Sequence, residues 1–183
     1  MPLTKTKFRQ KCLKKLQNAA KQSNKIYKDA LVNEILLREL KSKKRLNILF
    51  YYPLGLEVDV RKILQKMRKK HNIFIPFMEG KSFKMVPFRL PLRKKKFGVF
   101  EAGNTTRNIK KIDKAIVPVV GVDKHLQRVG FGKGMYDRFF AELSKRPYTI
   151  FLQRELCFAS RALCDDFDVM ADMLITPRGI KRK

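Results

Sequence analysis

The segment Arg128-Val-Gly-Phe-Gly-Lys-Gly-Met-Tyr-Asp-Arg138 sets glycines on alternate positions, places a lysine among them and closes on a carboxylate. Glycine has no Cβ and tolerates positive φ, so Gly130, Gly132 and Gly134 let successive backbone N–H groups converge on one anion. Lys133 and Arg128 add positive charge beside that nest. A loop of this composition holds phosphate. An apolar run, Lys114 to Val122, precedes it and reads as a buried strand, and Tyr136 to Lys145 follows with apolar residues at helical spacing. Strand, glycine loop, helix is the order in which a helix N-terminus meets a phosphate. Asp137 supplies a hard oxygen of the kind a magnesium ion takes when it bridges phosphate oxygens. The spacing is neither the dinucleotide-binding fingerprint nor the Walker pattern, and the same residues also suit a plain glycine-rich turn between strand and helix.

Two further groups could work beside such a loop. Lys5 and Arg9 stand at i and i+4 spacing in a stretch with helical periodicity, so both cations project from one face; as residues alone they are two of many solvated cations. Glu57 follows the apolar run Leu46 to Tyr52 by a few residues. A carboxylate there can accept paired hydrogen bonds from an amino group and a ring N–H, or it can serve as an acidic residue at the start of the helix expected over Val60 to Lys70. Asp59 suits the capping role better than Glu57.

The elements that must position these residues are legible as an alternation. Lys5 to Lys41 predicts two helices, with Phe8, Cys12, Leu16 and Ala19 on one face and Ile26, Ala30, Leu31, Ile35 and Leu36 continuing after a break at Ser23-Asn24. Strands are expected at Leu46–Tyr52, His71–Pro76, Ile116–Val122 and Tyr148–Leu152, with a helix over Val60 to Lys70 between the first two and another after the glycine loop between the last two. That order is the signature of an α/β fold: a mainly parallel central sheet flanked by helices, Rossmann-like in its layering. Ligands of such open sheets gather at the carboxyl ends of the strands, where both the glycine loop and Glu57 fall. Between Glu79 and Asp113 the pattern is weaker, with a hairpin-like Glu79-Gly80 turn and a basic run. There is no internal repeat and no low-complexity linker, so residues 1–183 are expected to form one domain, the helices of residues 5–41 packing on the α/β core.

A chain of 183 residues can bury a core without disulfides or metals. No stretch approaches the roughly 20 apolar residues of a membrane helix, and the basic start, Met1 to Lys15, never becomes an apolar signal region. A soluble protein is expected. Cys12, Cys157 and Cys164 are odd in number and include no C-x-x-C pair, which predicts reduced thiols in a cytoplasm and no zinc site. The net charge of +27 attracts polyanions. The lysines and arginines are nevertheless spread along the whole chain, whereas a nucleic-acid module concentrates them in a stripe with interleaved aromatics. A solvated basic surface that steers a small anionic substrate is the simpler reading, and any nucleic-acid binding would be non-specific.

Taken together the segments resemble the 5-formyltetrahydrofolate cyclo-ligase family, also called methenyltetrahydrofolate synthetases, over nearly the whole chain. Lys5-Thr-Lys-Phe-Arg9 is similar to the family's opening, and Tyr51-Tyr-Pro-Leu-Gly-Leu-Glu57-Val-Asp59-Val60 to its Glu-Val-Asp-Thr-like motif. Ile75-Pro76 to Lys84-Met85 resembles a strand that ends in proline before a methionine-bearing loop. Val117-Pro118 followed by Arg128 to Arg138 resembles the strongest signature, with Val129 for leucine and Met135 for a tyrosine. Asp168-Val-Met-Ala-Asp172-Met-Leu-Ile-Thr176 resembles the family's Asp-x-x-x-Asp-x-x-x-Thr ending. The chain departs from the pattern at Ala102, which follows Gly98-Val-Phe-Glu101 where the family has proline, and at Met135.

The resemblance implies ATP-driven closure of 5-formyltetrahydrofolate to 5,10-methenyltetrahydrofolate with release of ADP and phosphate. It implies ATP held by Lys5, Arg9, Arg128, Gly130, Gly132, Lys133, Gly134 and Tyr136, with Arg128, Lys133 and Tyr136 acting at the reacting centre. Magnesium would be carried by Asp137 and Asp168, and the folate by Glu57, Phe83, Met85 and Tyr136, with Pro76 fixing the chain's entry; Asp172 is read as structural. The basic surface is expected to favour folate with a polyglutamate tail, and a monomer is expected. Two alternatives stand beside this: an RNA- or ribosome-associated basic protein, and an ATP-binding relative with a changed second substrate.

Overall fold

The computed structural model describes residues 3–94, 100–105, 109 and 111–183. Helix α1 (Lys5–Lys21) starts where the Thr4 hydroxyl accepts from the Lys7 N–H at 3.2 Å, an N-cap that satisfies one of the open donors of the first turn. The chain breaks at Ser23-Asn24 as expected and continues as α2 (Lys25–Glu39). After these come β1 (Asn47–Leu49), α3 (Arg61–Met67), β2 (Asn72–Glu79), β3 (Ser82–Pro87), β4 (Arg93–Lys94) and β5 (Phe100–Glu101). The second half holds β6 (Lys114–Pro118), β7 (Gly121–Val122), β8 (Arg128–Val129), α4 (Met135–Ala141), β9 (Tyr148–Leu152), β10 (Met173–Thr176) and β11 (Gly179–Arg182).

The central sheet has the order β11-β10-β9-β6-β1-β2-β3. Its interior pairs, β10 with β9, β9 with β6, β6 with β1 and β1 with β2, are all parallel; β11 and β3 are antiparallel edges. The mainly parallel α/β sheet of the sequence reading is therefore present. Successive residues of the parallel strands enter opposite cores, because side chains alternate across the pleat. Ile48, Ile116, Ile150 and Met173 meet α2 and α3 on one face, while Leu49, Val117, Phe151 and Leu174 meet Leu126 and Phe139 on the other. Near-continuous apolar runs are what a strand covered on both faces requires. Of the two N-terminal helices, α2 lies on the sheet through Val32, Leu36 and Leu40. Helix α1 instead packs Phe8, Cys12 and Leu16 against Val120, Val129, Cys157 and Ala159.

The structure corrects the sequence reading at several places. The buried residues of α2 are Asp29, Val32 and Leu36, while Ile26 and Ala30, expected on its apolar face, are exposed. The strand expected over Leu46–Tyr52 and the helix expected over Val60–Lys70 shorten to β1 and α3. The run Lys114 to Val122 is not one strand: β6 ends at Pro118, which has no N–H to continue a ladder, and Gly121–Val122 pairs antiparallel with Arg128–Val129 in a separate ribbon. The strand expected to stop at Pro76 runs on to Glu79, and Lys84-Met85 lies in β3 rather than in a loop. Pro76 is tolerated because β1 has already ended at the level of Phe74, so no ladder partner on that side is lost. The helix after the glycine loop stops at Ala141, short of Lys145. Finally, Cys12 and Cys157 form a disulfide with Cα atoms 5.7 Å apart, and Cys164 is the free thiol. Reduced thiols were expected from the odd cysteine count and the lack of a C-x-x-C pair; the two partners lie 145 positions apart in the chain, and the docking of α1 beside the exit from β9 brings them together.

Glu79↔Ser82 closes the expected hairpin, with Gly80 at φ 57°. Ala102, one of the departures from the family pattern, is buried in the core shared with α2 and α3; Gly98 and Val99 lie outside the described residues. Among the described residues no helix is long and apolar enough to cross a membrane.

Candidate active site

The glycine loop leaves β8 and enters α4 at the carboxyl edge of the central sheet. Gly132 and Gly134 take φ of 94° and 63°, left-handed values that favour glycine. Gly130 answers a different need: a Cβ there would lie 2.2 Å from the Arg128 guanidinium. Arg128 is buried and donates from Nε to the carbonyl of Pro118 at 3.1 Å, which ties the loop to the end of β6. Its guanidinium lies 4.7 Å from the centroid of the Tyr136 ring. Burial lowers the Arg128 pKa, and Asp137, Tyr136, Glu57 and Asp168 oppose that fall. Lys133 is exposed at the tip, and Arg138 closes the turn by donating to the carbonyls of Lys81 and Lys133.

Helix α1 forms a second wall. Arg9 Nε donates to the Gly130 carbonyl at 2.9 Å, and Lys5 donates to Asp165 at 3.0 Å and to Asp168. Burial draws the Lys5 pKa down, but bonds to Asp168 and Asp165 outweigh it and leave the amine above its ordinary value. Lys5 and Arg9 thus share a face, as their spacing predicts, and each already has a protein partner. Asp137 Oδ1 accepts from the Val169 N–H at 3.2 Å, so α4 and the segment carrying Asp168 are joined directly. Asp172 is the structural member of its motif: it accepts from Thr149 N at 2.7 Å and pairs with Arg146 at 3.0 Å.

Glu57 lies within electrostatic reach of Arg128, in the loop between β1 and α3. Its carboxylate accepts from Leu54 N at 2.8 Å. Desolvation pushes its pKa up to about 7, while the Leu54 N–H, Arg128 and Arg154 pull the other way. Glu57 is not the first residue of the following helix. Asp59 meets that helix, accepting from Arg61 N at 3.0 Å. The phenol of Tyr136 is raised by burial and by Glu57, with Arg128 opposing. Phe83 meets Tyr136 edge-on with ring centroids 5.0 Å apart. Met85, opposite Pro76 in the hairpin, is 4% exposed and belongs to the same core cluster as Phe83, so it supports this wall from within.

Asp137 and Asp168 fit a magnesium ion in donor type, since magnesium takes one or two carboxylates together with phosphate oxygens and water. The Lys5 ammonium on Asp168 marks a place where the protein already answers that carboxylate with a cation. Among the described residues no group of three or more His, Cys, Asp or Glu forms a complete protein cage.

Three residues around the site escaped the sequence. Asp29 and Arg154 form a buried pair behind Glu57. Asp123, fully buried, accepts from the N–H groups of His125, Gln127, Leu163 and Cys164, which fastens the segment leading to Asp168 onto the ribbon. None carries a local signal, because their partners are remote in the chain.

Fold and site define an open-sheet α/β protein whose carboxyl edge gathers a cationic glycine loop, paired carboxylates and a half-buried glutamate. The model of the 5-formyltetrahydrofolate cyclo-ligase family matches residues 3–177, and the chain belongs to that family. It is 23% identical over 116 residues to a 5-formyltetrahydrofolate cyclo-ligase of Haemophilus influenzae, spanning 58% of this chain and 62% of that one. It is 35% identical over 65 residues to the Mycoplasma pneumoniae protein of the same name, spanning 36% and 39%. These curated relatives are therefore matched over less than two thirds of their length. Among solved structures, the NMR structure of 5,10-methenyltetrahydrofolate synthetase from Aquifex aeolicus aligns with a TM-score of 0.77 at 26% identity, over 98% of this chain and 93% of that one. The Mycoplasma pneumoniae 5,10-methenyltetrahydrofolate synthetase shares the fold, with a TM-score of 0.73 at 24% identity over 96% and 99%.

Proposed function

We propose that this chain, acting as one domain, closes 5-formyltetrahydrofolate to 5,10-methenyltetrahydrofolate at the expense of ATP. The observation that carries the reading is the convergence, at one sheet edge, of the glycine loop with Lys5, Arg9, Arg128, Asp137 and Asp168, with Glu57 facing the same arginine. ATP lies with its phosphates on Gly130, Gly132 and Gly134, whose backbone N–H groups and the exposed Lys133 answer the phosphate charge. Arg9 approaches the same loop from α1. The formyl oxygen attacks the terminal phosphorus and ADP leaves; the neighbouring amine then attacks the activated formyl carbon and phosphate departs. Such a transfer asks the protein for positioning and charge neutralisation more than for covalent chemistry.

Glu57 accepts the N–H groups of the pterin, and Tyr136, backed by Phe83 and by Met85 behind it, supplies an aromatic wall. Arg128, between Glu57 and the loop, couples the folate side to the phosphate side. Asp137 and Asp168 would hold a magnesium ion, which when bound neutralises charge on the phosphate oxygens. Lys5 then exchanges part of its contact with Asp168 for phosphate.

The test is the absorbance of methenyltetrahydrofolate on mixing protein, 5-formyltetrahydrofolate, magnesium and ATP, against an ATP-free control. ATP-dependent growth of the band is expected. ATP binding without the band would assign a changed second substrate, and salt-sensitive RNA binding with neither would favour a polyanion-binding role. The basic surface also favours polyglutamylated folate; equal Michaelis constants for mono- and polyglutamates across a salt titration would refute that.

A further inference from the structure

We propose that Arg154, locked onto Asp29, is a positioning residue for folate recognition: it fixes the backbone of the loop that presents Glu57 and keeps that carboxylate aimed as an acceptor. The inference deepens the reading of Glu57 as the pterin acceptor and rests on it.

Arg154 and Asp29 are 1% and 5% exposed. Arg154 Nε donates to Asp29 Oδ1 at 2.6 Å and Nη2 to Oδ2 at 2.9 Å, a fork-on-fork pair. The same guanidinium donates to the Leu56 carbonyl at 3.1 Å and to the Glu57 carbonyl. Asp29 Oδ2 also accepts from Asp59 N at 3.1 Å. Asn33 donates to the Asp59 carbonyl at 2.8 Å and Tyr51 to the Val58 carbonyl at 2.8 Å. Every residue from Leu56 to Asp59 is thereby held by a side chain from another part of the fold: α2, the end of β1, or the segment after β9.

A buried ion pair is a poor device for stability alone, since removing two charges from water costs much of what their attraction returns. A planar fork supplies direction, and a fixed positive charge behind the loop. The ionisable or charged groups facing Glu57 are Arg154 from the segment after β9, Arg128 from β8, Tyr136 from α4 and Tyr51 from the end of β1, with Asp29 of α2 behind Arg154. Both arginines favour the ionised carboxylate, which is the form that accepts hydrogen bonds. Folate affinity therefore rises with pH through about 7, where Glu57 ionises. Without the Arg154 charge that midpoint moves upward.

The experiment measures the dissociation constant of 5-formyltetrahydrofolate by calorimetry from pH 6 to pH 9, together with kcat, for the wild type, Arg154→Lys, Arg154→Met and Glu57→Gln. Arg154→Met is expected to weaken folate binding about tenfold at pH 7.5, to regain much of it at high pH, and to leave ATP affinity unchanged. Arg154→Lys, which keeps the charge and loses the fork, is expected to keep the pH midpoint and still bind folate more weakly. Should Arg154→Met fail to fold, the Asp29→Leu/Arg154→Met double variant removes both buried charges together and is read in the same way. A lowered melting temperature with wild-type folate affinity and wild-type midpoint would reduce Arg154 to a structural role and overturn the proposal. Wild-type affinity in Glu57→Gln would instead remove Glu57 from the pterin site, a failure seen separately from anything Arg154 does.

Discussion

The glycine loop of residues 130–134 and the loop of residues 54–59 meet the same sheet edge and flank the same arginine, yet they are shaped by different means. The first takes its form chiefly from its own residues: left-handed φ at Gly132 and Gly134, a Gly130 whose Cβ would meet the Arg128 guanidinium, and Arg138 closing the turn, with Arg9 of α1 as an added tie. The second has an ordinary sequence and takes its form from remote side chains, Asp29, Asn33, Tyr51 and Arg154. A self-shaped loop suits a ligand whose phosphates are read by backbone N–H groups. An externally held loop suits one carboxylate that must keep a single direction toward a rigid ring.

Substitutions can break this contrast or sharpen it. The largest effect is expected on the phosphate side: Asp137→Asn should lower kcat by roughly a hundredfold to a thousandfold, because it removes charge that acts in the transition state, while folate affinity stays near wild type. Unchanged turnover at limiting magnesium would take Asp137 out of the metal site.

Next comes Glu57→Gln, read through stability. Burial raises the Glu57 pKa from 4.5 to about 7. Below pH 4.5 the folded and unfolded states both hold the proton and the group contributes nothing. As pH rises toward about 7 the unfolded chain ionises first and the folded state is increasingly disfavoured, and above that the penalty is constant. The variant should therefore be more stable than wild type at pH 8, by about 2–3 kcal/mol in chemical denaturation, and indistinguishable from it at pH 4, even as folate binding is lost.

Gly132→Ala should cost about 1–2 kcal/mol of loop conformation and appear as a raised Michaelis constant for ATP. The companion change Gly55→Ala, in the externally held loop, meets nothing within 4 Å and no left-handed φ. It should stay within about 0.5 kcal/mol of wild type with unaltered kinetics. Equal effects of the two alanines would erase the distinction between the loops.

The same distinction explains what was readable in the chain. Alternating strands and helices, the break at Ser23-Asn24, the Glu79-Gly80 hairpin and the glycine loop are local patterns, and each is present in the fold. The shared face of Lys5 and Arg9 follows from helical spacing alone. Illegible were the features made by distance along the chain: the Cys12–Cys157 bond, the four N–H groups on Asp123, the Arg154 fork, and the ribbon that interrupts the run from Lys114 to Val122. Pro118 was visible in that run, but an apolar stretch on both sides of a proline reads as one strand unless the partner of each half is known.

Helix α1 carries Lys5 and Arg9, and its apolar face is closed by Val120, Val129, Cys157 and Ala159. A ribosome makes a chain from its N-terminal side, so α1 is made well before Val120, Val129, Cys157 and Ala159, the residues that close its apolar face. Lys5 and Arg9 are thus among the last groups to reach their places, and a product that stops short of Cys157, however well its early strands pair, carries both cations on a helix with no complete seat beside the glycine loop.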